Sequence, residues 1–247
     1  MEQYSVLAKY YDALMDDVDY KKWAEFYDVI LKESNVGKRI VDMGCGTGSI
    51  TVCLASLGYD MTGIDISSEM LALAQSKADK AGVRIRFSEQ DMAGLDVGGG
   101  YGGVICSFDG VNYLLSTEKL MACFERAYDA LTDGGVFVFD VSTPYKYKNI
   151  LSENAFVFEL DGLFLSWQSF YNEKRGICDY YLTFFSERGG AWHRFDEEQR
   201  QRSYSLKTIE RLLRDAGFTV EKTCGDTDFS PVTSTSERCH FICRKGN

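Results

Sequence analysis

A short apolar segment that runs directly into three closely spaced glycines constrains this chain more than any other feature. Residues 41–48 read Val-Asp-Met-Gly-Cys-Gly-Thr-Gly, and an apolar pattern of helical type follows at residues 49–57. Glycines at alternate positions let the backbone turn tightly and let a ligand approach the main chain, because no Cβ intervenes. The N-terminus of the following helix presents unpaired N–H groups at the same place. The sequence therefore predicts a small-molecule site at the carboxyl end of the first strand of an α/β sheet.

Strand-like apolar runs alternate with helical patterns through the first 143 residues. The predicted strands are residues 39–42, 60–65, 83–88, 104–108 and 136–141. A helix capped by Asp19 precedes them, and a long helix is predicted from Thr117 to Gly134. After residue 204 the pattern resumes with a helix at 206–216 and strands at 218–224 and 238–244. Strands separated by helices form a parallel sheet. We expect an α/β fold, with a Rossmann-like, seven-stranded, mostly parallel sheet and helices on both faces.

The pattern changes between residues 145 and 204, where the sequence indicates no strong helix. Four strand-like runs replace it, at residues 156–160, 163–171, 177–186 and 192–203. The glycine-containing turns between them are typical of antiparallel hairpins. We therefore expect a small antiparallel β insertion at residues 145–204, carried by a ligand-binding domain made of residues 1–144 and 205–247.

Charge, histidine content and cysteine usage exclude several classes of function. The formal net charge of −10 argues against broad binding of a nucleic-acid backbone. His193 and His240 are the only histidines, so we predict no metal site and no hydrolytic triad. The eight cysteines contain no Cys-x-x-Cys pair and are expected to be reduced thiols. The N-terminus lacks the pattern of a secretory signal, and no apolar run reaches the roughly 18 residues that cross a bilayer. A cytoplasmic protein without a membrane span is expected.

The spacing of the glycines narrows the choice of ligand. A phosphate-binding P-loop needs a lysine directly after its last glycine, and none follows Gly48. Dinucleotide sites prefer Gly-x-Gly-x-x-Gly, whereas here the third glycine comes one position earlier. Asp65 ends the second predicted strand, where a carboxylate can accept hydrogen bonds from both ribose hydroxyls. That arrangement suits NAD and S-adenosylmethionine equally, so Asp65 alone leaves both open.

Six short motifs, in order along the chain, resemble those of class I S-adenosylmethionine-dependent methyltransferases. They are Val-Asp-Met-Gly-Cys-Gly-Thr-Gly at 41–48, Gly-Ile-Asp-Ile-Ser-Ser-Glu-Met-Leu at 63–71, Glu-Gln-Asp-Met at 89–92, Ser-Phe-Asp-Gly-Val-Asn-Tyr-Leu at 107–114, Leu-Thr-Asp-Gly-Gly-Val-Phe at 131–137 and Leu-Arg-Asp-Ala-Gly-Phe at 213–218. The match runs from about residue 38 to the C-terminus, apart from the insertion. The N-terminal Tyr-Tyr-Asp at 10–12 is similar to that of bacterial members with an inserted antiparallel substrate lid.

The resemblance implies that the larger domain binds S-adenosylmethionine and that the matching residues hold it. Asp42 is expected to hold the methionine ammonium, and Asp65 the ribose. Asp91 is expected to accept from the adenine amino group, between apolar contacts from Ile66 and Met92. The predicted cofactor-binding residues are Tyr11, Asp42, Gly44, Gly46, Asp65, Ile66, Asp91, Met92 and Ser107.

The methyl acceptor is expected beyond the carboxyl ends of the strands, where open α/β sheets bind ligands. Candidate acceptor-site residues come from the loop after the fourth strand and from the insertion: Asp109, Asn112, Tyr113, Trp167, Tyr171, Tyr181, His193, Arg202 and Tyr204. Methyl transfer mainly requires that nucleophile, methyl group and sulfur be aligned. No residue is assigned a catalytic role.

The sequence thus predicts a methyltransferase that moves a methyl group from S-adenosylmethionine to a small-molecule acceptor by in-line displacement. Two other classes stay open. One is an NAD(P)-dependent oxidoreductase, which the glycine spacing disfavours. The other is a non-catalytic cofactor-binding or assembly protein on the same fold. RNA as the acceptor is disfavoured by the acidic balance, and no feature predicts an oligomeric state.

Overall fold

The structure, a computed structural model, describes residues 5–246. Its main sheet has seven strands: β1 Arg39–Met43, β2 Asp60–Asp65, β3 Arg86–Glu89, β4 Tyr101–Cys106, β5 Leu131–Ser142, β10 Phe218–Cys224 and β11 Arg238–Lys245. Their order across the sheet is β10-β11-β5-β4-β1-β2-β3. The first five strands pair in parallel, and β11 runs antiparallel to both β5 and β10. The predicted seven-stranded, mostly parallel sheet is confirmed.

Helices cover both faces of this sheet. The α-helices of the described residues are α1 Ser5–Leu14, α2 Tyr20–Glu33, α3 Ser49–Ser56, α4 Ser68–Ala81, α5 Thr117–Ala130, α6 Pro144–Lys146 and α7 Leu206–Asp215. On one face, Leu120 and Phe124 of α5 pack with Leu213 of α7 against the sheet. On the other, Ile30 of α2 and Leu54 of α3 do the same. The apolar periodicity of each helix therefore matches the face that it buries.

A second, antiparallel sheet of four strands follows β5. It consists of β6 Asn154–Leu160, β7 Leu163–Asn172, β8 Ile177–Arg188 and β9 Ala191–Arg202, paired in chain order. Its inner face forms a separate core with α1, in which Leu7 and Ala8 meet Leu163, Leu165 and other apolar side chains of the sheet. The predicted antiparallel β insertion is confirmed as an element of the fold.

Three details of the chain differ from the sequence-based expectations. The helix predicted to reach Gly134 ends at Ala130, because Leu131 pairs with Tyr101 and opens β5. The third and fourth strands lie at Arg86–Glu89 and Tyr101–Cys106, so Phe108 belongs to a loop and not to a strand. A short helical segment also occupies residues 144–151, at the start of the region where the sequence indicates no helix. Proline at its first position and the Thr143 cap explain its start.

Gly48 joins the glycine turn to α3 in a conformation that excludes a larger residue. Its φ is +73°, and a Cβ there would lie 2.7 Å from the Cβ of Ala74 in α4. Gly82, the cap of α4, has a similar φ of +68°, but a Cβ there would meet nothing within 4 Å. Substitution at Gly82 therefore measures the cost of backbone strain alone, whereas substitution at Gly48 adds the cost of steric overlap.

We expect Gly82→Ala to lower the free energy of unfolding by about 1 kcal/mol, which is the cost of the left-handed backbone. Gly48→Ala should lower it by about 1–3 kcal/mol more, because α3 and α4 must also move apart. Urea unfolding of the two variants beside the parent chain measures the difference. Equal losses for the two variants would show that α3 and α4 do not constrain the turn.

No helix within residues 5–246 is long and apolar enough to cross a membrane. In the same residues, no group of three or more His, Cys, Asp or Glu side chains is arranged to hold a metal ion.

Candidate active site

A cavity of about 750 Å³ lies at the carboxyl ends of β1, β2 and β4. Its wall combines the glycine turn, the loops after β2, β3 and β4, helix α1 and strand β9. The structure brings all nine predicted cofactor-binding residues into this wall: Tyr11, Asp42, Gly44, Gly46, Asp65, Ile66, Asp91, Met92 and Ser107. Residues that are up to 96 positions apart in the sequence therefore face one space. Small-molecule sites have volumes of roughly 300–1,000 Å³, so the cavity suits a ligand of that class.

Asp65 fixes the glycine turn to the end of β2. Its Oδ2 accepts the Gly46 N–H at 2.8 Å, and its Oδ1 accepts the Ser67 N–H at 2.9 Å. Burial raises the pKa of this carboxyl, while the backbone donors oppose the rise. Each carboxylate oxygen has two lone-pair sites, so both can accept a further hydrogen bond from inside the cavity. The side chain is thus positioned by the backbone and still able to bind vicinal hydroxyls.

Asp42 carries a buried oxygen without a partner. The residue is 2% exposed, and its Oδ2 accepts the Thr51 hydroxyl at 2.6 Å. Its Oδ1 is buried and has no hydrogen-bond partner within the described chain. Burial raises the pKa of the carboxyl to about 7. A buried acceptor of this kind is costly unless a donor reaches it, so a cationic N–H group bound in the cavity would satisfy it.

Asp91 lines the cavity together with two apolar side chains, Ile66 and Met92. Its Oδ1 accepts the Ala93 N–H at 2.9 Å, and Lys119 Nζ lies 3.9 Å from its Oδ2. Met92 Cε would lie 3.2 Å from a Cβ placed on Gly44, so this methionine reaches over the glycine turn. Ile66 is 58% exposed, which is unusual for an isoleucine beside a cavity. Ile66 and Met92 can therefore cover a flat apolar ring beside a hydrogen-bonding carboxylate.

Helix α1 is held over the glycine turn through Asp12, which accepts hydrogen bonds from the Thr47 hydroxyl at 2.7 Å and from Lys77. Lys77 Nζ bonds Asp12 of α1 at 2.7 Å, and it also bonds Thr47 at 2.8 Å and Ser49 at 2.6 Å. This contact brings Tyr11 into the cavity wall. Tyr20, at the start of α2, lines the same part of the cavity, and burial raises the pKa of its phenol to about 12.

Comparison with known proteins agrees with this geometry. A family model described as a methyltransferase domain matches residues 40–135. A putative methyltransferase of Geobacillus sp. (strain WCH70) is 36% identical over 98% of this chain and 99% of its own length. The putative methyltransferase YqeM of Bacillus subtilis (strain 168) is 32% identical over 98% of this chain and 97% of its own length. The chain belongs to the methyltransferase family.

A solved structure extends the comparison to three dimensions. The S-adenosylmethionine-dependent methyltransferase from Clostridium acetobutylicum ATCC 824 superposes with a TM-score of 0.88, at 29% identity and 96% coverage of both chains. The predicted class I fold, methyl transfer as the activity and S-adenosylmethionine as the cofactor are thereby confirmed. The observed site fits this cofactor, because Asp42 offers the unsatisfied acceptor that an ammonium requires. The nicotinamide and non-catalytic alternatives find no support.

The loop after β4 carries three predicted acceptor-site residues, of which one lines the cavity and two do not. Tyr113 lines the cavity, whereas Asp109 and Asn112 lie behind its wall. Asn112 is fully buried; it donates to Arg202 O at 2.8 Å and accepts from Ser142 N at 3.0 Å. With these two hydrogen bonds, the Asn112 amide connects β5 to β9. Direct contact of Asp109 or Asn112 with an acceptor is not supported by their positions.

Asp109 belongs to a charged cluster that supports the loop from beneath. Gln201 Nε2 of β9 donates to its Oδ2 at 2.6 Å, and Arg238 lies 3.3 Å from its Oδ1. Arg238 also pairs with the fully buried Asp140, whose Oδ2 accepts the Asp109 N–H at 2.8 Å. Phe108 and Asp109 both have positive φ, of 56° and 51°. The cluster therefore holds a strained loop in place and connects it to β9.

None of the six acceptor-site residues predicted in the insertion lines the cavity. Trp167 and Tyr171 belong to the core of the second sheet, where they contact Tyr180 and Tyr147. Tyr181 and His193 are exposed. Arg202 donates to Leu115 O at 2.9 Å, and Tyr204 donates to Leu114 O. The aromatic side chains thus build the sheet and support the loop after β4, and their role in binding an acceptor is not supported.

The residues of the insertion that do reach the cavity are polar ones on β9. They are Asp196, Glu197, Glu198, Gln199 and Arg200. Along β9, alternate side chains point inward, and Gln199 and Gln201 are 5% and 4% exposed. The signal in the sequence is the unbroken polar run from Asp196 to Arg202, because successive side chains of a strand point to opposite faces and the inner face is then not wholly apolar.

Proposed function

We propose that the acceptor of this methyltransferase is a small molecule that binds between the loop after β4 and the inner face of β9. The observation that carries the proposal is the continuity of the cavity, which runs from Asp42 and Asp65 to Tyr113, Glu197 and Gln199. Residues able to hold the cofactor occupy one end, and polar residues of the second sheet line the other. The volume of about 750 Å³ is compatible with a cofactor and a small acceptor together.

In this proposal the cofactor is held by the residues that the sequence indicates. Asp42 pairs with the methionine ammonium, Asp65 accepts from the ribose hydroxyls, and Asp91 accepts from the adenine amino group. Gly44 and Gly46 allow close approach of the backbone, with Ser107 and Tyr11 nearer the methionine end. The cofactor supplies a methyl group that is already activated by the positive sulfur. The residues of this chain bind, orient and exclude water, and alignment of that kind supplies roughly 7–11 kcal/mol.

The same arrangement gives each of the two domains its own role. Residues 1–144 and 205–247 form the cofactor-binding domain, and residues 145–204 form the subdomain that closes the acceptor side.

An RNA acceptor would need an exposed track of basic side chains. The rim instead carries Asp196, Glu197 and Glu198, and Arg200 is paired with Asp179 at 2.6 Å. A cytoplasmic location remains part of the proposal.

Product release tests the proposal directly. Formation of S-adenosylhomocysteine is measured with separate pools of small amines, alcohols, phenols and carboxylic acids, and with bulk transfer RNA. We expect turnover with at least one small-molecule pool and none with RNA. Turnover with RNA alone would contradict the proposed acceptor class while leaving the cofactor assignments intact.

A further inference from the structure

We propose that the acceptor is a primary or secondary amine, and that the Glu197 carboxylate binds its nitrogen and accepts the proton that the ammonium must lose before methylation. The inference rests on the proposed function, because it places the acceptor beside β9. Glu197 lies in the wall of the cavity where methyl transfer takes place, so the polar groups of any acceptor have to be matched there.

Glu197 is held in a fixed orientation by its neighbours. Its Oε1 accepts the Gln199 Nε2–H at 2.8 Å, and Gln199 Oε1 accepts the Tyr113 hydroxyl at 3.1 Å. Gln199 is 5% exposed, so this relay is shielded from solvent. No other residue between 5 and 246 forms a hydrogen bond or an ion pair with the side chain of Glu197. Its Oε2 is therefore available to a donor that enters the cavity.

The charge around Glu197 favours a cation over an anion. Six carboxylates line the cavity against Lys119 and Arg200; Asp42, Asp65 and Asp91 lie at the cofactor end, which leaves Asp196, Glu197 and Glu198 on the side of β9. Arg200 is neutralised by Asp179 at 2.6 Å, and Lys119 lies 3.9 Å from Asp91. Asp196 is paired with Arg194 at 2.9 Å, but Glu197 has no cationic partner within the described residues. A protonated amine gains by entering such a site, and a carboxylate or phosphate is repelled.

The reaction balances with the groups present. The bound ammonium first passes one proton to Glu197 Oε2, from which the proton reaches solvent, and the nitrogen thereby gains a lone pair. That lone pair forms the new N–C bond while the S–C bond breaks and leaves its electron pair on sulfur. The methylated nitrogen carries the positive charge and leaves as an ammonium, so the reaction releases one proton overall. Glu197 thus needs no cofactor or metal beyond S-adenosylmethionine, and a hydroxyl acceptor would gain a hydrogen bond to the carboxylate but no attraction between opposite charges.

Three probes with the same ring and different charge test the recognition. Cyclohexylamine, cyclohexanol and cyclohexanecarboxylate are titrated by calorimetry into the full chain saturated with S-adenosylhomocysteine. We expect the amine to bind at least about tenfold more tightly than the alcohol, as a charge-assisted hydrogen bond allows, and the carboxylate not to bind. Equal binding of amine and alcohol, or preference for the carboxylate, would overturn the inference. So would failure of the amine to bind when an amine pool also gives no turnover.

Glu197→Gln keeps the shape of the side chain and removes its charge. It should weaken amine binding about tenfold or more and lower turnover with the amine pool, while leaving affinity for S-adenosylhomocysteine unchanged. The matched control is Glu159→Gln, which removes the same charge from an exposed position on the opposite edge strand, β6. An amine affinity in Glu197→Gln equal to that of the control would overturn the inference. Loss of S-adenosylhomocysteine binding in the unmodified chain would instead contradict the cofactor assignments of the proposed function.

Discussion

Replacing Asp65 by alanine is expected to weaken binding of S-adenosylhomocysteine by more than about a hundredfold. Two hydrogen bonds from ribose hydroxyls to an ionised carboxylate contribute roughly 1.5–3 kcal/mol each, and both are lost. The glycine turn also loses its connection to β2, because Gly46 N–H and Ser67 N–H no longer have their acceptor. Affinity and local order should therefore fall together, which makes this one of the two largest effects that the site predicts.

The affinity is measured by calorimetry, and the melting temperature with and without ligand gives a second reading. A ligand present at a hundred times its dissociation constant stabilises the folded chain by about 2.7 kcal/mol, so the parent protein should show a clear shift. Asp60→Ala is the matched control, since Asp60 begins the same strand and is 57% exposed. Unchanged affinity in Asp65→Ala, with the control also unchanged, would show that the ribose lies elsewhere.

The main sheet could be predicted from the sequence because its strands are buried on both faces and separated by well-capped helices. β5 reads Val-Phe-Val-Phe over residues 136–139, and all four are fully buried. Ser67 and Gly82 cap α4 as their residue types indicate. Boundaries were less accurate where a residue suits two elements. Leu131 continues the apolar face of α5, yet hydrogen bonding to β4 places it in β5.

The cofactor end of the cavity was equally accessible to sequence reasoning, because its residues lie in short motifs at strand ends. Asp42 and Asp65 lie at the carboxyl ends of β1 and β2, so the short strand patterns before them are enough to place them in the fold. The acceptor end was not accessible in this way. Trp167 and Tyr171 are large and carry polar atoms, but the small sheet needs them for its own core. Glu197 and Gln199 reach the cavity because β9 lies at an edge of the second sheet, which depends on pairing between distant residues.

Asp42 should make cofactor binding depend on pH. Burial raises the pKa of its carboxyl from an ordinary value of about 3.9 to about 7 in the free protein, and only the ionised form can pair with an ammonium. Affinity for S-adenosylhomocysteine should therefore fall as pH decreases through 7, by roughly tenfold per pH unit and roughly a hundredfold at pH 5. The ligand's own ammonium stays protonated across this range and does not oppose the trend.

The stability of the ligand-free chain should change in the opposite direction. Between about pH 3.9 and 7 the folded protein holds a proton on Asp42 that the unfolded chain has lost. The contribution of Asp42 to the free energy of unfolding therefore falls as pH rises through that window. Protonation thus stabilises the empty protein and weakens the complex. Other carboxyls that are buried at this site, Asp65 among them, titrate as well, so the effect of Asp42 has to be isolated by substitution.

Two variants isolate the effect of Asp42 on ligand binding, which is measured by calorimetric titration between pH 5 and 8. Asp42→Asn should bind the ligand weakly at every pH and lose most of the dependence. Thr51→Val keeps the volume of the threonine but removes the hydroxyl that donates to Asp42 Oδ2 at 2.6 Å. That hydrogen bond favours the ionised carboxylate, so its loss should raise the pKa of Asp42 further and move the binding midpoint to higher pH. A midpoint that does not move in Thr51→Val, or a dependence that persists in Asp42→Asn, would assign the titration to another group. A shift in the expected direction would link ligand binding to the protonation of the carboxylate that Thr51 contacts.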